Sequence, residues 1–590
     1  MKKYKEIPAL IYAIFCTLTL SYGFMICGNS MIQARSFEAI AFCMMLFIVC
    51  RYCFDITNLR KTVVAAVLAG ILTFFLFIGA EFDSYHTVSG ITLNRALIFA
   101  GGGCFLWCIL ILGFRVVDRI KQDCHASAET IRVCLKGDKK SFLVLWLGIV
   151  LIWIPVFLAV YPGIYSYDAS IQILEIYGGW GLDSHHPVIH TLFLNGCLYL
   201  GDLIFNDFNT GIAIYSIIQG SVLAAAFANV CNKMLRYHVS KIIVVCAFIW
   251  FTLNPINQIF VFITTKDVLF TAFFIWCITL TVEMFLEQTF FDTKSKLLEF
   301  AIATVLMILF RNQGKYIFLL FIAAGAICFK TARKKFLTVC IVSIIAAQII
   351  TGPVSSMMGV KKGSIREALS VPIQQLARVY NLHPGYYTEE DLRLLYGLIP
   401  IEGWTAYEPE ISDPVKSGFN NEFWAENKTE LIKLWLRTGK DNFMLYVESF
   451  LYGAYGYWYV DSSPRVQAYI WFDGFFMQPE FNILNITRES KFASYEEYLR
   501  RISFELVYEK VPIIAVVLNQ GFPFWCILFL AGYTIYRKQY QALLVLIWFF
   551  GLWGTILLGP VICVRYAYPL MAAIPTLGMV IYVHEQPKPD

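Results

Sequence analysis

The chain has 590 residues, 58% of them hydrophobic and 15% charged, with a mean hydropathy of +0.62. A soluble fold of this length cannot hide that much apolar surface, so the composition excludes a soluble protein and points to an all-α polytopic membrane protein. The net charge of +5 is spread along the chain without a basic stripe, which argues against a nucleic-acid partner.

Taken in chain order, Lys2, Lys3 and Lys5 lead into an apolar run with no small-residue cleavage site, the pattern of a retained first helix. A crossing helix needs about 20 apolar residues. Runs of that kind lie at 8–27, 36–53, 62–80, 95–115, 141–161, 210–231, 241–256, 267–287, 298–310, 315–330, 336–352, 514–536, 541–558 and 567–584, about fourteen spans. The 17 Cys fall mostly inside such runs, where packed thiols are expected.

Cytoplasmic loops are enriched in Lys and Arg. The loops around 51–61 and 115–140 are basic, through Arg51, Arg60, Lys61, Arg115, Arg119, Lys121, Arg132, Lys136, Lys139 and Lys140, while 81–94 has no basic residue. Helix 141–161 therefore exits, and the loop after it faces outside. A further apolar stretch, 187–206, decides the orientation of every later helix. If it spans, Lys233/Arg236/Lys241 and Lys330/Arg333/Lys334/Lys335 fall outside. If it lies in the interface, both clusters fall inside, as do Arg537 and Lys538. The second arrangement obeys the rule and puts both termini in the cytoplasm. It leaves Lys266, Arg311, Lys315 and Arg565 at outer helix ends, where cations are costly and take partners.

Four regions result: additional helices over 1–140, a transmembrane module over 141–352 with an outer loop at 162–209, an extracytoplasmic domain or set of interfacial helices over 353–510, and C-terminal helices over 511–590. The third is too charged and too long for a plain loop. Its aromatic run Tyr452 to Tyr459 suits a headgroup belt or a sugar-stacking face. No internal repeat is visible.

Polar density is greatest at Tyr161 to His190, which holds Asp168, Glu175, Asp183, His185, His186 and His190 and no Lys or Arg. Asp168 suits a general base at the membrane surface, or an N-cap for a helix over 169–177. Asp183-Ser184-His185-His186-Pro187 suits a phosphate or sugar contact, a divalent metal, or a turn that Pro187 leads into a helix. Lys266-Asp267 opens the 267–287 helix as a dipole-compensating start, or as a second carboxylate beside a phosphate-binding cation. Arg311-Asn312-Gln313-Gly314-Lys315 breaks two short spans, either as a site or as a tight hairpin with snorkelling cations. Arg565-Tyr566 suits bidentate phosphate contact or an interfacial anchor.

The order of these motifs resembles the GT-C superfamily of integral-membrane glycosyltransferases, near the protein O-mannosyltransferase and aminoarabinose transferase type. The landmarks are Asp168, His186-Pro187 where relatives carry Lys-Pro-Pro, Lys266-Asp267, Arg311-Asn312-Gln313-Gly314 and Arg565-Tyr566-Ala567-Tyr568-Pro569. The resemblance covers 141–352 and, more weakly, 510–584. It implies a GT-C-like helix bundle and transfer of a sugar from a polyprenyl-phosphate donor to an extracytoplasmic glycan, lipid or protein, with inversion. Asp168 and Asp267 would be catalytic. His185, His186, Lys266, Arg311, Asn312, Lys315, Arg565 and Tyr566 would bind substrate. The chain departs from the pattern in having no second acid beside Asp168 and His in place of the Lys-Pro-Pro lysine, which leaves open the donor sugar and the use of a divalent metal. A polyprenyl-linked glycan polymerase or ligase, or a flippase, are the competing expectations.

Overall fold

The computed structural model describes residues 6–26, 36–88, 93–127, 135–461, 470, 472–474 and 478–583. Lys2, Lys3, Lys5 and Arg132, which enter the charge argument, lie outside them. Helix makes up 75% of the structure, and the described residues form isolated bridges but no strand.

The principal helices are α1 Glu6–Ile26, α2 Phe37–Ile56, α3 Leu59–Tyr85, α4 Leu93–Ser127, α5 Lys139–Val160, α6 Ala169–Ile176, α7 Val188–Phe205, α8 Phe208–Arg236, α9 Lys241–Leu253, α10 Pro255–Phe260, α11 Lys266–Leu286, α12 Lys294–Phe310, α13 Gly314–Cys328 and α14 Arg333–Ile349. Among the described residues, eight helices are long and apolar enough to cross a membrane, which makes this a multi-pass membrane protein. They are α2 to α5, α7, α8, α11 and the stretch from α14 to Met357. Helix α7 is thus a candidate span by length, although the charge pattern places it in the interface.

Two expected spans are not continuous helices. Residues 514–536 break after Val517 and resume at Phe522, because Asn519-Gln520-Gly521 intervenes. Asn519 satisfies the break itself, accepting from the Gly521 N–H (2.7 Å) and donating to the Val460 carbonyl (3.1 Å). The last run, 567–584, becomes a helix over Val564–Ala573, a 3₁₀ turn over Ile574–Thr576 and a short helix over Leu577–Val580, with Pro569 and Pro575 interrupting the ladder.

The chain divides into two compact units: residues 1–132 with 524–540, and 133–523 with 541–590. In the first, Ala13, Cys16 and Leu46 bury themselves between α1 and α2. Asp118 of α4 accepts from Tyr533 (2.9 Å) and pairs with Arg537 (2.8 Å), and the Phe114 ring stacks on Tyr536. Helix 522–537 owes its place there to these ties. None of the described cysteines is in a disulfide, and Cys50 and Cys108 pack as thiols with Sγ atoms 3.6 Å apart.

The second unit is built on α5, α8 and α11. Phe227 of α8 stacks on Phe251 of α9, and the Trp153 indole of α5 donates to the Thr252 carbonyl. Inside α11, Thr271, Thr279 and Thr281 return their hydroxyls to carbonyls one turn back, so none of these hydroxyls faces apolar neighbours unpaired. Glu283, fully buried near the end of α11, is neutralised by Lys233 of α8 and Lys296 of α12. That cluster brings the end of α8 level with the end of α11.

Residues 370–446 form short helices with their own apolar core, centred on Leu376, Leu395, Trp404 and Leu434. A buried Arg378–Glu448 pair (2.7 Å) ties the first of these helices to the last. The aromatic run after them is neither a headgroup belt nor an open sugar-stacking face. Tyr455, Tyr457 and Trp458 are each 1% exposed. The Tyr457 hydroxyl donates to the Val561 carbonyl and accepts from the Cys563 N–H, both at 3.0 Å, so this run braces the segment that leads into Arg565. Buried phenols take such partners, which is why an aromatic cluster can pass for a belt in sequence.

Candidate functional site

Two connections aim the carboxylates. The segment leaving α5 forms a parallel bridge with the segment entering α11, Ile164 against Ile263. The Ile164 N–H donates to Phe262 (2.8 Å), the Thr264 N–H to Ile164 (2.9 Å), and Thr264 Oγ1 accepts from the Ser166 N–H (3.1 Å). Only Gly fits beside this bridge at position 163, where φ is +152° and a Cβ would lie 2.3 Å from Ser216 Oγ. Asp168 and Lys266, 98 residues apart in sequence, thereby share one wall.

Asp168 stands at the N-cap position of α6 but makes no side-chain cap bond. Its carboxylate goes elsewhere. Lys266 Nζ donates to Oδ2 at 2.6 Å and Arg565 Nη1 to Oδ1 at 3.2 Å. Burial alone would raise this carboxyl, but the Arg565 and Lys266 charges outweigh it and hold it well below the usual carboxylate range. The second acid, Asp267, is fully buried in the first turn of α11. It faces Arg311 Nη1 at 3.2 Å and Arg565 Nε at 3.6 Å, and accepts from Thr265 Oγ1 at 3.0 Å. Arg565 therefore links the two carboxylates. Its guanidinium lies 4.6 Å from the Tyr167 ring centre and 4.9 Å from that of Tyr566, which fixes the plane of the fork. Arg311 is placed the same way, 5.4 Å from the ring centres of both Phe270 and Tyr566, with its Nε on Gln313.

His186 is buried and close to both partners of the ion pair, 3.3 Å from Lys266 Nζ and 3.7 Å from Asp168 Oδ2 through Nδ1. An ammonium only donates, so Nδ1 is the acceptor and the ring proton sits on Nε2. Burial, then the Lys266 charge, push this imidazole down to about 2, and it is neutral at physiological pH. Burial has the opposite sign for a carboxyl: Glu175, 5% exposed on α6, is raised to about 7.

These groups open on one cavity of about 600 Å³. Asp168, His185, His186, Lys266, Asp267, Arg311, Asn312, Arg565 and Tyr566 all line it. Lys315 does not. It lies one residue into α13, with Nζ 4.9 Å from the Tyr316 ring centre. Asp183 is also outside the lining and accepts from the His185 N–H. Among the described residues no three His, Cys, Asp or Glu side chains gather as a metal site. The cavity carboxylates Asp168, Asp267, Glu367 and Asp413 are all matched by cations, so this donor set does not fit a metal and no step is routed through one.

Two features escape a reading of the sequence. Residues Ser364 to Ala368 and Asp413, from the region between the membrane modules, form part of the cavity wall. Lys416, 2% exposed as a side chain, holds that wall by pairing with Glu367 (2.7 Å) and Asp413 (2.8 Å). Nothing in the local pattern Ser-Ile-Arg-Glu signals this, because it is set by the packing of a separate core. Behind the other wall, His190 of α7 bonds Gln172 of α6 (2.9 Å) and the Tyr215 hydroxyl of α8 (2.8 Å). Tyr215 donates to Gln219, whose amide reaches the Val261 and Ile263 carbonyls (3.0 and 2.8 Å), so the network supports the turn that presents Lys266.

An all-helical multi-pass membrane protein with a polar, ion-paired cavity at its helix ends is the class that fold and site define. Residues 181–589 match the model of a family described as a family of unknown function (DUF6020), and the chain belongs to that family. The match takes in Lys266, Asp267, Arg311 and Arg565 and begins after Asp168. No curated protein and no solved structure matches the chain.

Proposed function

We propose that this chain is a glycosyltransferase of the GT-C kind, which moves a sugar from a polyprenyl-phosphate donor to a hydroxyl or amine of an extracytoplasmic glycan, lipid or protein. The observation that carries the reading is the pairing of two carboxylates with three cations, Lys266, Arg311 and Arg565, around one cavity. Such a site suits a monoanionic phosphodiester whose charge grows as its bond to carbon breaks. Asp168 takes the proton from the acceptor. The acceptor oxygen or nitrogen bonds to the anomeric carbon from the face opposite the phosphate. The carbon–oxygen bond to phosphate breaks with its electron pair going to phosphate, where Lys266 and Arg565 receive the charge. Asp267 holds Arg311 and Arg565 in place, and Asn312 and Tyr566 offer neutral hydrogen bonds to donor or acceptor. The test is turnover by the purified full-length chain in lipid nanodiscs, supplied with a panel of radiolabelled polyprenyl-phosphate sugars. Release of polyprenyl phosphate with labelled product is expected. Inertness toward the whole panel, acceptors included, would remove the reading.

The same reading places the cavity on the extracytoplasmic side, with about fourteen spans and both termini in the cytoplasm. Helix α7 then lies in the interface. Along α7, Phe193 packs on Tyr215, Leu198 meets Gly211 and Gly201 meets Gly211 and Asp207, so α7 runs back along α8 and the interfacial placement rests on the charge pattern. The small residues Gly201 and Gly211 permit the close approach of the two helices, since a Cβ at 201 would lie 2.3 Å from the Gly211 nitrogen. Single cysteines at the exposed positions Arg236 and Arg333, in a background without exposed thiols, are expected to resist an impermeant maleimide added to intact cells. Labelling from outside at either position would reverse the orientation.

A further inference from the structure

The proposed reaction needs a base, and the chosen carboxylate is a poor one as it stands. Both oxygens of Asp168 accept from cations, Oδ2 from Lys266 at 2.6 Å and Oδ1 from Arg565 at 3.2 Å. A group fixed this way favours its charged form too strongly to take a proton from a hydroxyl, since a base works best with a pKa near the operating pH. The phosphate of a donor needs the same two cations.

The geometry points to an anion-released base: a phosphate monoester or diester that takes Lys266 and Arg565 frees Asp168 to accept a proton, so the anionic substrate binds before the acceptor. This rests on the glycosyltransferase function proposed for the chain. The charged residues of the outer wall are engaged with one another and with Lys416: Arg366 and Lys416 pair with Glu367, and Lys416 with Asp413. The groups nearer Asp168 fit the release. From α11 come Lys266 and Asp267, and Asp267 is occupied by Arg311 (3.2 Å). From the helix Val564–Ala573 come Arg565 and Tyr566, whose hydroxyl accepts from Arg565 Nη2 (3.1 Å). From the turn before α7 come His185 and His186, the latter neutral and itself an acceptor from Lys266. Tyr167, next in the chain, presents its ring to Arg565. Arg565 already has a second anchor in Asp267 Oδ2 at 3.6 Å, so it can turn from Asp168 toward a phosphate without losing its place. The arriving anion raises the affinity of Asp168 for a proton twice over, by withdrawing its cations and by adding negative charge nearby. Until then the base is masked, and an acceptor or water that enters first meets a carboxylate that will not deprotonate it.

The test uses the full chain in nanodiscs with ¹³C-carboxyl aspartate, the Asp168 signal being assigned by its loss in Asp168→Asn. Decyl phosphate and inorganic phosphate serve as separate probes, their binding followed by ³¹P shift. Without a probe, the Asp168 signal is expected to titrate well below the usual carboxylate range, and with saturating decyl phosphate its midpoint is expected to rise by about two units. Lys266→Gln is expected to raise the midpoint without any probe and to shrink the further shift, which gives a second reading if one variant folds badly. Binding of both phosphates without movement of the midpoint overturns the release of the base and leaves the glycosyltransferase reading standing. Failure of both phosphates to bind overturns both. A midpoint moved by inorganic phosphate and not by decyl phosphate keeps the anion-released base and removes a lipid-linked donor.

Discussion

Asp168→Asn is expected to lower transfer from a polyprenyl-phosphate sugar by about two to four orders of magnitude, the usual worth of general-base catalysis. Asn keeps the size of the side chain and can still cap a helix almost as well as Asp. The cap is not what Asp168 supplies, since its side chain makes no such bond and reaches Lys266 and Arg565 instead. What Asn removes is the negative charge and the site for the proton. Donor affinity is expected to hold or improve, because both cations lose a competing partner. The measurement is the single-turnover rate at saturating donor, with donor affinity read separately on the same folded variant. A wild-type rate would take Asp168 out of the chemistry and turn attention to Asp267, the other acid beside Arg565.

Arg565→Ala is expected to fail in the opposite way, losing donor affinity along with rate. The guanidinium lies against both carboxylates and between two aromatic rings, and no other side chain duplicates that position among the described residues. Removing a charge-stabilising donor from a preorganised site costs about 10²- to 10³-fold in rate. The substitution also strips a cation from two carboxylates, and breaking a buried pair costs about 3–5 kcal/mol, less here because Asp168 is partly exposed. A lower unfolding midpoint in detergent is therefore expected beside the kinetic loss. Arg565→Lys restores a charge but not the planar fork that reaches Asp168 through Nη1 and Asp267 through Nε. It is expected to recover stability more than rate. Arg565→Ala with unchanged donor affinity would show that the phosphate sits elsewhere.

Part of the site is legible because its residues break a local rule. Lys266, Arg311 and Arg565 stand out as cations at the ends of apolar helices, where a charge is tolerated only with a partner. Asp267 is legible for the same reason, coming straight after Lys266 at the start of α11. Lys315 breaks the rule too, yet it faces the Tyr316 ring and lies outside the cavity. One residue of helix turns a side chain by about 100°, so adjacency to a site does not place a residue in it. The wall from Ser364 to Ala368 with Asp413 has no such signature, because charged residues in a polar region attract no notice.

The sequence by itself determined that this protein is a multi-pass helical bundle, since apolar run lengths and the absence of water in the bilayer leave helices as the solution. It also determined which charges are out of place. Tertiary structure decided which of them meet. The Ile164–Ile263 bridge joins two loops far apart in the chain, and it is this bridge that puts Asp168 beside Lys266. The Tyr457 brace does the same for the approach to Arg565. Tertiary structure also broke the 514–536 and 567–584 runs, which hydropathy cannot distinguish from continuous spans because a window average hides Asn519 and Pro575. Hydropathy measures the cost of leaving water. Partner choice depends on distances between segments, and those are fixed only once the helices have packed.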